Sequence, residues 1–379
     1  MAQTWRVTRG KVATFRLIDA LLWPARKLIG ARKQAQTPIR SVLVMEPWYI
    51  GDVVLATPIL RALRRRFPEV RITVLGRAHA EELLRHSGLA DDVVVYDLPW
   101  TAKSAKYHPG RYDIAALRKL VADLRKREFD LSIDARMDLR SNVVTYLTGA
   151  PRRIGYDFGG GAFLLTDAVA ADPDKLHRVD DWLKLMAPLG GAVSPGEGDE
   201  GLEPFLAVSP EEYERAEATL RDAGIESGDT IVAVHGGASD PRRRWPTSSF
   251  EKVAGVLTRD HGARIIWFPE PGESGPAVPV ASAVFHKSLR EMMAIFAHCR
   301  LVLCNDSGPM HIADALGIPV VAVFLTGNPV WHRPYRKNQQ VVGAGTGHDF
   351  LVAPTEGEVI TAAKLQLSSG PIVNQAAQR

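Results

Sequence analysis

Ser41-Val-Leu-Val-Met45, followed by Pro47-Trp-Tyr-Ile-Gly51-Asp52-Val-Val-Leu-Ala-Thr-Pro58, is the stretch on which the fold reading turns. The short, nearly unbroken apolar run reads as a strand buried on both faces. Gly51 to Phe67, with Pro68 just beyond, reads as the helix that follows it. Working outward, the same alternation continues. Arg71–Leu75 is a second strand and Ala80–His86 a helix; Val93–Tyr96 is a third strand and Ile114–Arg127 a helix. Leu131–Asp134 is a fourth strand, with a helical pattern from Leu139. Strands alternating with helices predict an α/β fold with a doubly wound parallel sheet.

Gly190 to Pro204 is rich in Gly, Pro and acids and reads as a domain seam. Beyond it the alternation restarts. Helices are expected at Glu211–Ala223, Ser249–Asp260, Leu289–Ala297 and Met310–Leu316, and strands at Ile231–Val234, Arg264–Phe268, Leu301–Leu303 and Val320–Phe324. A last helix, Glu356–Gln366, can pack back across the seam. At roughly 150 residues per domain, 379 residues accommodate two such domains. The expected boundaries are an extension at 1–40, Rossmann-like domains at 41–195 and 196–354, and a C-terminal helix and tail at 355–379.

With 46% hydrophobic and 24% charged residues the composition is that of an ordinary globular protein, not of collagen, coiled coil or a disordered chain. No apolar run reaches the ~18 residues of a spanning helix. Cys299 and Cys304 are the only cysteines, too few for a disulfide framework or a four-cysteine zinc site, and a reducing cytosol fits best. The net charge of +4 hides an asymmetry: residues 1–40 hold nine Lys or Arg against one acid, Asp19, a net +8. The remaining 38 bases and 42 acids leave the body at −4, which argues against a nucleic-acid partner. The extension fits a cleaved signal peptide poorly, because its apolar stretch is short and contains Asp19. Two readings stand: a basic amphipathic segment on an anionic membrane surface, or a helix or arm packed on the body.

Three junctions carry candidate chemistry. Asp52 sits at the start of the first helix. It is either a carboxylate favoured by the helix dipole or a general base at a strand's carboxyl end. Val234-His-Gly-Gly-Ala-Ser239-Asp-Pro-Arg242-Arg243-Arg244-Trp245-Pro246 joins a strand to a helix, with glycines for close approach, the Ser239 hydroxyl and forked donors for phosphate. Cys304-Asn-Asp306-Ser307-Gly308-Pro309-Met310-His311 opens another helix, whose amides with Ser307 make an anion site. Asp306 is a cap or a ligand contact there, and His311 a hydrogen-bond donor to a phosphate or a packed helix residue. Two phosphate-binding elements in one domain and a carboxylate in the other imply a phosphorylated donor in a cleft between them. The G-x-G-x-x-G fingerprint is missing. Asp172-Pro-Asp174 resembles a metal-binding D-x-D but reads as a turn, Gly343–Gly347 as a flexible loop, and Ser307 lacks the hydrolase elbow.

These motifs, in this order, resemble glycosyltransferase family 9, the heptosyltransferases of lipopolysaccharide core assembly. The resemblance covers most of residues 41–335. It rests on Ile50-Gly51-Asp52-Val53 with Thr57-Pro58, on Arg243-Arg244-Trp245-Pro246 and on Asn305–His311, supported by Arg153-Ile-Gly-Tyr156 and Ala315-Leu-Gly-Ile-Pro319. It implies a GT-B-type fold, with an acceptor-side domain followed by a nucleotide-sugar-donor domain. It also implies inverting, metal-independent transfer from an ADP-activated heptose to a lipopolysaccharide-core or related glycan acceptor, with no cofactor beyond the co-substrate. Asp52 matches the family's catalytic base. Ser239, Arg243, Arg244, Asp306, Ser307, Gly308 and His311 would hold the nucleotide diphosphate, and Glu273 its ribose. Arg136 and Arg140 would meet an anionic, Kdo-bearing acceptor. Such an enzyme would be cytoplasmic, or peripheral on the cytoplasmic face of the inner membrane. The chain departs from the family pattern where Arg243 replaces a lysine, where Leu325 replaces a glycine, and at the bulky Trp48-Tyr49. The competing readings are a transferase of the same fold using another nucleotide sugar, a sugar-nucleotide epimerase, or a binding protein.

Overall fold

Ser41–Met45 forms strand β1; among the described residues five further strands join it in one six-stranded parallel sheet, and six more form a second. In this computed structural model the described residues are 14, 17, 19–22, 24, 38–102, 108, 110, 112–171, 176–190, 201–270, 272, 275–276, 281–326, 328–343 and 352–368. The chain divides into two units, with the main division between Leu202 and Glu203.

The first unit runs β1, α1 (Ile50–Arg66), β2 (Arg71–Gly76), α2 (Ala78–Leu84), β3 (Asp92–Val95), α3 (Ile114–Arg125) and β4 (Leu131–Asp134). It continues with α4 (Leu139–Leu147), β5 (Arg152–Tyr156), β6 (Asp167–Val169) and α5 (Arg178–Leu183). Its strand order is β3-β2-β1-β4-β5-β6. Leu43, Met45 and Leu75 from the sheet pack against Leu120, Leu124 and Val144 from the helices. Pro58 lies inside α1, where it removes the N–H that would bond to Val54 O. The Thr57 hydroxyl donates to that oxygen instead, at 2.6 Å.

The second unit contains α6 (Pro210–Asp222), β7 (Ile231–His235), α7 (Thr247–His261), β8 (Arg264–Trp267), β9 (Ala283–Val284) and α8 (Leu289–Phe296). It ends with β10 (Leu301–Asn305), α9 (Gly308–Ala315), β11 (Val320–Val323), α10 (Pro329–His332), β12 (Gln340–Val342) and α11 (Glu356–Ser368). Its sheet order is β12-β11-β10-β7-β8-β9. Numbered from its own first strand this is the order of the first sheet, so each unit reverses direction beside its first strand: between β1 and β4, and between β7 and β10. In open parallel sheets that reversal opens a crevice at the strands' carboxyl ends. The final helix belongs to the second unit, where Val359, Ala362 and Ala363 join the core with Phe250, Trp267 and Leu303.

Two strands of the first sheet escape the periodicity. β5 starts with two arginines, and Arg153 is buried because its Nε donates to Leu164 O at 2.8 Å and its Nη1 to Ala150 O at 2.7 Å. β6 is three residues long and only partly buried. At the edges of the second sheet, β9 and β12 are too short to register as apolar runs.

Candidate active site

The crevice of the first unit is built where β1 and β4 end. Asp52 occupies the third position of α1, one turn past the β1 loop, and its two oxygens are used differently. Oδ2 accepts the Tyr49 N–H at 3.3 Å, and Oδ1 accepts from Arg136 Nη1 at 3.0 Å. Asp52 therefore does contribute to the helix start, and it also faces the loop after β4. Arg136 is 12% exposed, lies 4.4 Å over the Trp48 ring and 5.9 Å from that of Trp182, and its N–H donates to Asp134. Burial works against its charge, but Glu46 and Asp52 more than offset this, and its proton is held more firmly than usual. Arg140 takes a different partner: its guanidinium forks onto Asp138 at 2.6 and 2.9 Å and lies 5.6 Å from the Trp100 ring.

Behind Arg136 stand acids that the sequence reading passed over. Glu46 is 1% exposed, and its carboxylate lies 3.7 Å from the same Arg136 nitrogen that binds Asp52. Burial, only partly countered by Arg136, pushes its pKa up to about 8. Asp134 is also fully buried and held well above the usual carboxylate range by burial. The available signal for Glu46 was a lone acid directly following a buried strand.

In the second unit the matching crevice lies between β7 and β10. Asn305, the last residue of β10, ties the β7 loop down: its Nδ2 donates to Gly236 O at 2.6 Å and its Oδ1 accepts from Trp245 N at 3.1 Å. That places Arg243 Nη1 3.1 Å from Asp306 Oδ2. Burial pushes Asp306 up to about 6, with Arg243 pulling the other way. Arg244 is fixed by its Nε donating to Ala238 O at 2.8 Å. Arg242 instead turns outward onto Asp240 at 2.8 Å. Ser239 is exposed on the loop. Ser307 begins α9 with extended backbone and makes no cap bond, its hydroxyl bonding Asn305 O at 3.2 Å; Gly308 follows and His311 is buried one turn on. Glu273, the Asp172-Pro-Asp174 turn and residues 344–347 lie outside the described residues. A glutamate that is described, Glu270, lies 4.0 Å from His235 Nε2 and against the Gly237 backbone, where a Cβ would collide with it. Sequence reading missed it, although it too is an acid shortly after a strand. Among the described residues no group of three or more His, Cys, Asp or Glu is arranged to hold a metal ion.

Two doubly wound parallel sheets of the same strand order make up a GT-B-type fold, the fold of the solved heptosyltransferase structures this chain resembles. The family model of glycosyltransferase family 9 (heptosyltransferase) matches residues 117–352, and the chain belongs to that family. Lipopolysaccharide heptosyltransferase 2 of Escherichia coli K12 is 24% identical over 323 residues, 81% of this chain and 89% of that protein. Among solved structures, the family 9 glycosyltransferase of Veillonella parvula superposes with a TM-score of 0.73 at 22% identity, covering 88% of this chain and 99% of its own. Escherichia coli ADP-heptose lps heptosyltransferase II gives 0.68 at 22% identity, covering 86% and 98%.

Proposed function

We propose that the protein transfers a heptose from ADP-heptose to a lipopolysaccharide-core or related anionic glycan acceptor, by an inverting displacement that needs no metal. The observation that carries this reading is the Asp52 carboxylate, held at the reversal point of the first sheet by Arg136 and the Tyr49 N–H. Asp52 takes the proton of the acceptor hydroxyl, and the freed oxygen attacks the anomeric carbon from the face opposite the diphosphate. The bond from that carbon to the diphosphate oxygen breaks as the new one forms, and ADP leaves with the electron pair. Arg243, Arg244, Ser239, Ser307, Gly308 and the start of α9 meet the diphosphate, supplying the positive charge that a metal supplies elsewhere. Asp306 and His311 border that site, Glu273 approaches the ribose, and Arg140 with Arg136 faces the anionic acceptor.

Residues 1–40 fit the cytoplasmic face of an anionic membrane. Nine bases lie in them, and Leu17, Leu21 and Leu22 are exposed. No helix among the described residues is long and apolar enough to cross a membrane. Deleting residues 1–36 is expected to abolish flotation with anionic vesicles; unchanged flotation refutes the membrane reading.

The deciding experiment is titration calorimetry with ADP, UDP and GDP in the presence of EDTA, followed by turnover of ADP-heptose with a Kdo-bearing lipid core. Selective ADP binding and EDTA-resistant turnover are expected. A preference for UDP or GDP moves the function to another sugar, and loss of turnover restored by Mg²⁺ overturns the metal-free mechanism. Asp52→Asn is expected to lower kcat by about 10²–10⁴ with ADP binding retained.

A further inference from the structure

One nitrogen, Arg136 Nη1, lies between two carboxylates: 3.0 Å from Asp52 and 3.7 Å from Glu46. The first is partly exposed and faces the crevice; the second is sealed at the end of β1, and among the described residues neither of its oxygens has a hydrogen-bond partner. A buried acid without hydrogen bonds weakens a fold, and an apolar residue of similar size would avoid the cost. What Glu46 does have is a position from which it competes for Arg136. We propose that Glu46 is a positioning residue for the transfer reaction, dividing the charge of Arg136 between itself and Asp52 and so setting how strong a base Asp52 is. The inference rests on the reading of Asp52 as the base.

The surroundings fix the sign. Glu46 is faced by Arg136 and Asp134 from the end of β4, by Asp52 from α1 and by Arg178 from α5. Its pKa of about 8 leaves it neutral at neutral pH, with the Arg136 field falling mainly on Asp52. As Glu46 ionises it draws that field away. Asp52 is then relieved of part of the neighbouring positive charge and holds the acceptor proton more strongly. Glu46→Gln keeps the shape and fixes the neutral state.

The test is the pH dependence of kcat and of KM for ADP-heptose, with a Kdo-bearing lipid core as acceptor, in the wild type and Glu46→Gln. Wild-type kcat is expected to rise about 10-fold between about pH 7 and pH 9 at constant KM, and Glu46→Gln to lack the rise. Parallel profiles in the two proteins overturn the proposal. If Glu46→Gln does not fold, infrared difference spectra of the wild type replace it. Loss of a buried carboxyl proton in step with the rise in kcat supports the proposal; no such loss, or a loss without the rise, overturns it. Asp52→Asn separates the two levels. If it retains turnover, the base assignment itself has failed; if it is inactive while the Glu46 profiles run parallel, only the present inference has.

Discussion

Arg243 and Asp306 form an ion pair whose existence depends on pH. Asp306 is 3% exposed with a pKa near 6, so below that it is a neutral acid and above it a buried anion that needs its guanidinium. Arg243→Met is therefore expected to destabilise the protein by about 2 kcal/mol at about pH 8 and by clearly less at about pH 5. Denaturant unfolding at the two pH values checks this; equal losses would mean that the pair contributes nothing through its charge. At this scale the sequence was informative about residue type and less so about partners. Asp52, Arg243 and Asp306 could be singled out because strand-to-helix junctions at carboxyl ends favour such groups. That Arg136 and Asp52 share a hydrogen bond could not, because 84 positions separate them and only the pairing of β1 with β4 brings them together.

The loop after β4 owes its position to a turn of three glycines after β5. Gly159, Gly160 and Gly161 have φ of 87°, 91° and 84°, a region that side chains disfavour. Gly159 accepts the Leu139 N–H through its carbonyl, Gly160 O accepts from Asn142 Nδ2 at 2.9 Å, and a Cβ on Gly159 would collide with the Met137 carbonyl. Gly159→Ala is expected to cost about 1–3 kcal/mol and to push Met137, and with it Arg136, out of place. Turnover should fall while ADP affinity is unchanged, measured by calorimetry beside a kinetic assay; a variant with normal kcat would show that the Arg136 loop is held independently. Elements such as this one were hard to read in advance. Long apolar strands announced themselves, whereas β5 opens with two arginines, one of them, Arg153, buried on backbone carbonyls, and the edge strands were too short to carry a period.

Across the whole molecule, the buried acids Glu46, Asp134, Asp306 and Asp314 all have pKa values raised by burial. Each keeps its proton in the folded protein at pH values where the unfolded chain has released it. Their contribution to stability is present in acid and is lost as pH rises through the folded values, about 6 for Asp306 and about 8 for Glu46. Acids lowered by hydrogen bonds, Asp240 by the Arg242 guanidinium and Glu356 by its own N–H and Lys252, both to about 2, act oppositely and only at far lower pH. The melting temperature is thus expected to drop by several degrees between about pH 6 and pH 9, and Glu46→Gln to recover part of that drop. Scanning calorimetry across that range checks it, and a rising melting temperature would contradict the assigned burial of these groups.

Asp19 adds one more consequence at this scale. It is the single acid among the first 40 residues, and its carboxylate is committed to the Gly161 N–H at 2.8 Å. The one anion of this basic stretch thus makes a backbone hydrogen bond to the glycine turn after β5. The charge of the chain is thus divided unevenly along its sequence, +8 in residues 1–40 and −4 in the rest. In dilute salt the chain is expected to bind a negatively charged matrix more tightly than its overall charge of +4 indicates, and deletion of residues 1–36 to abolish that excess.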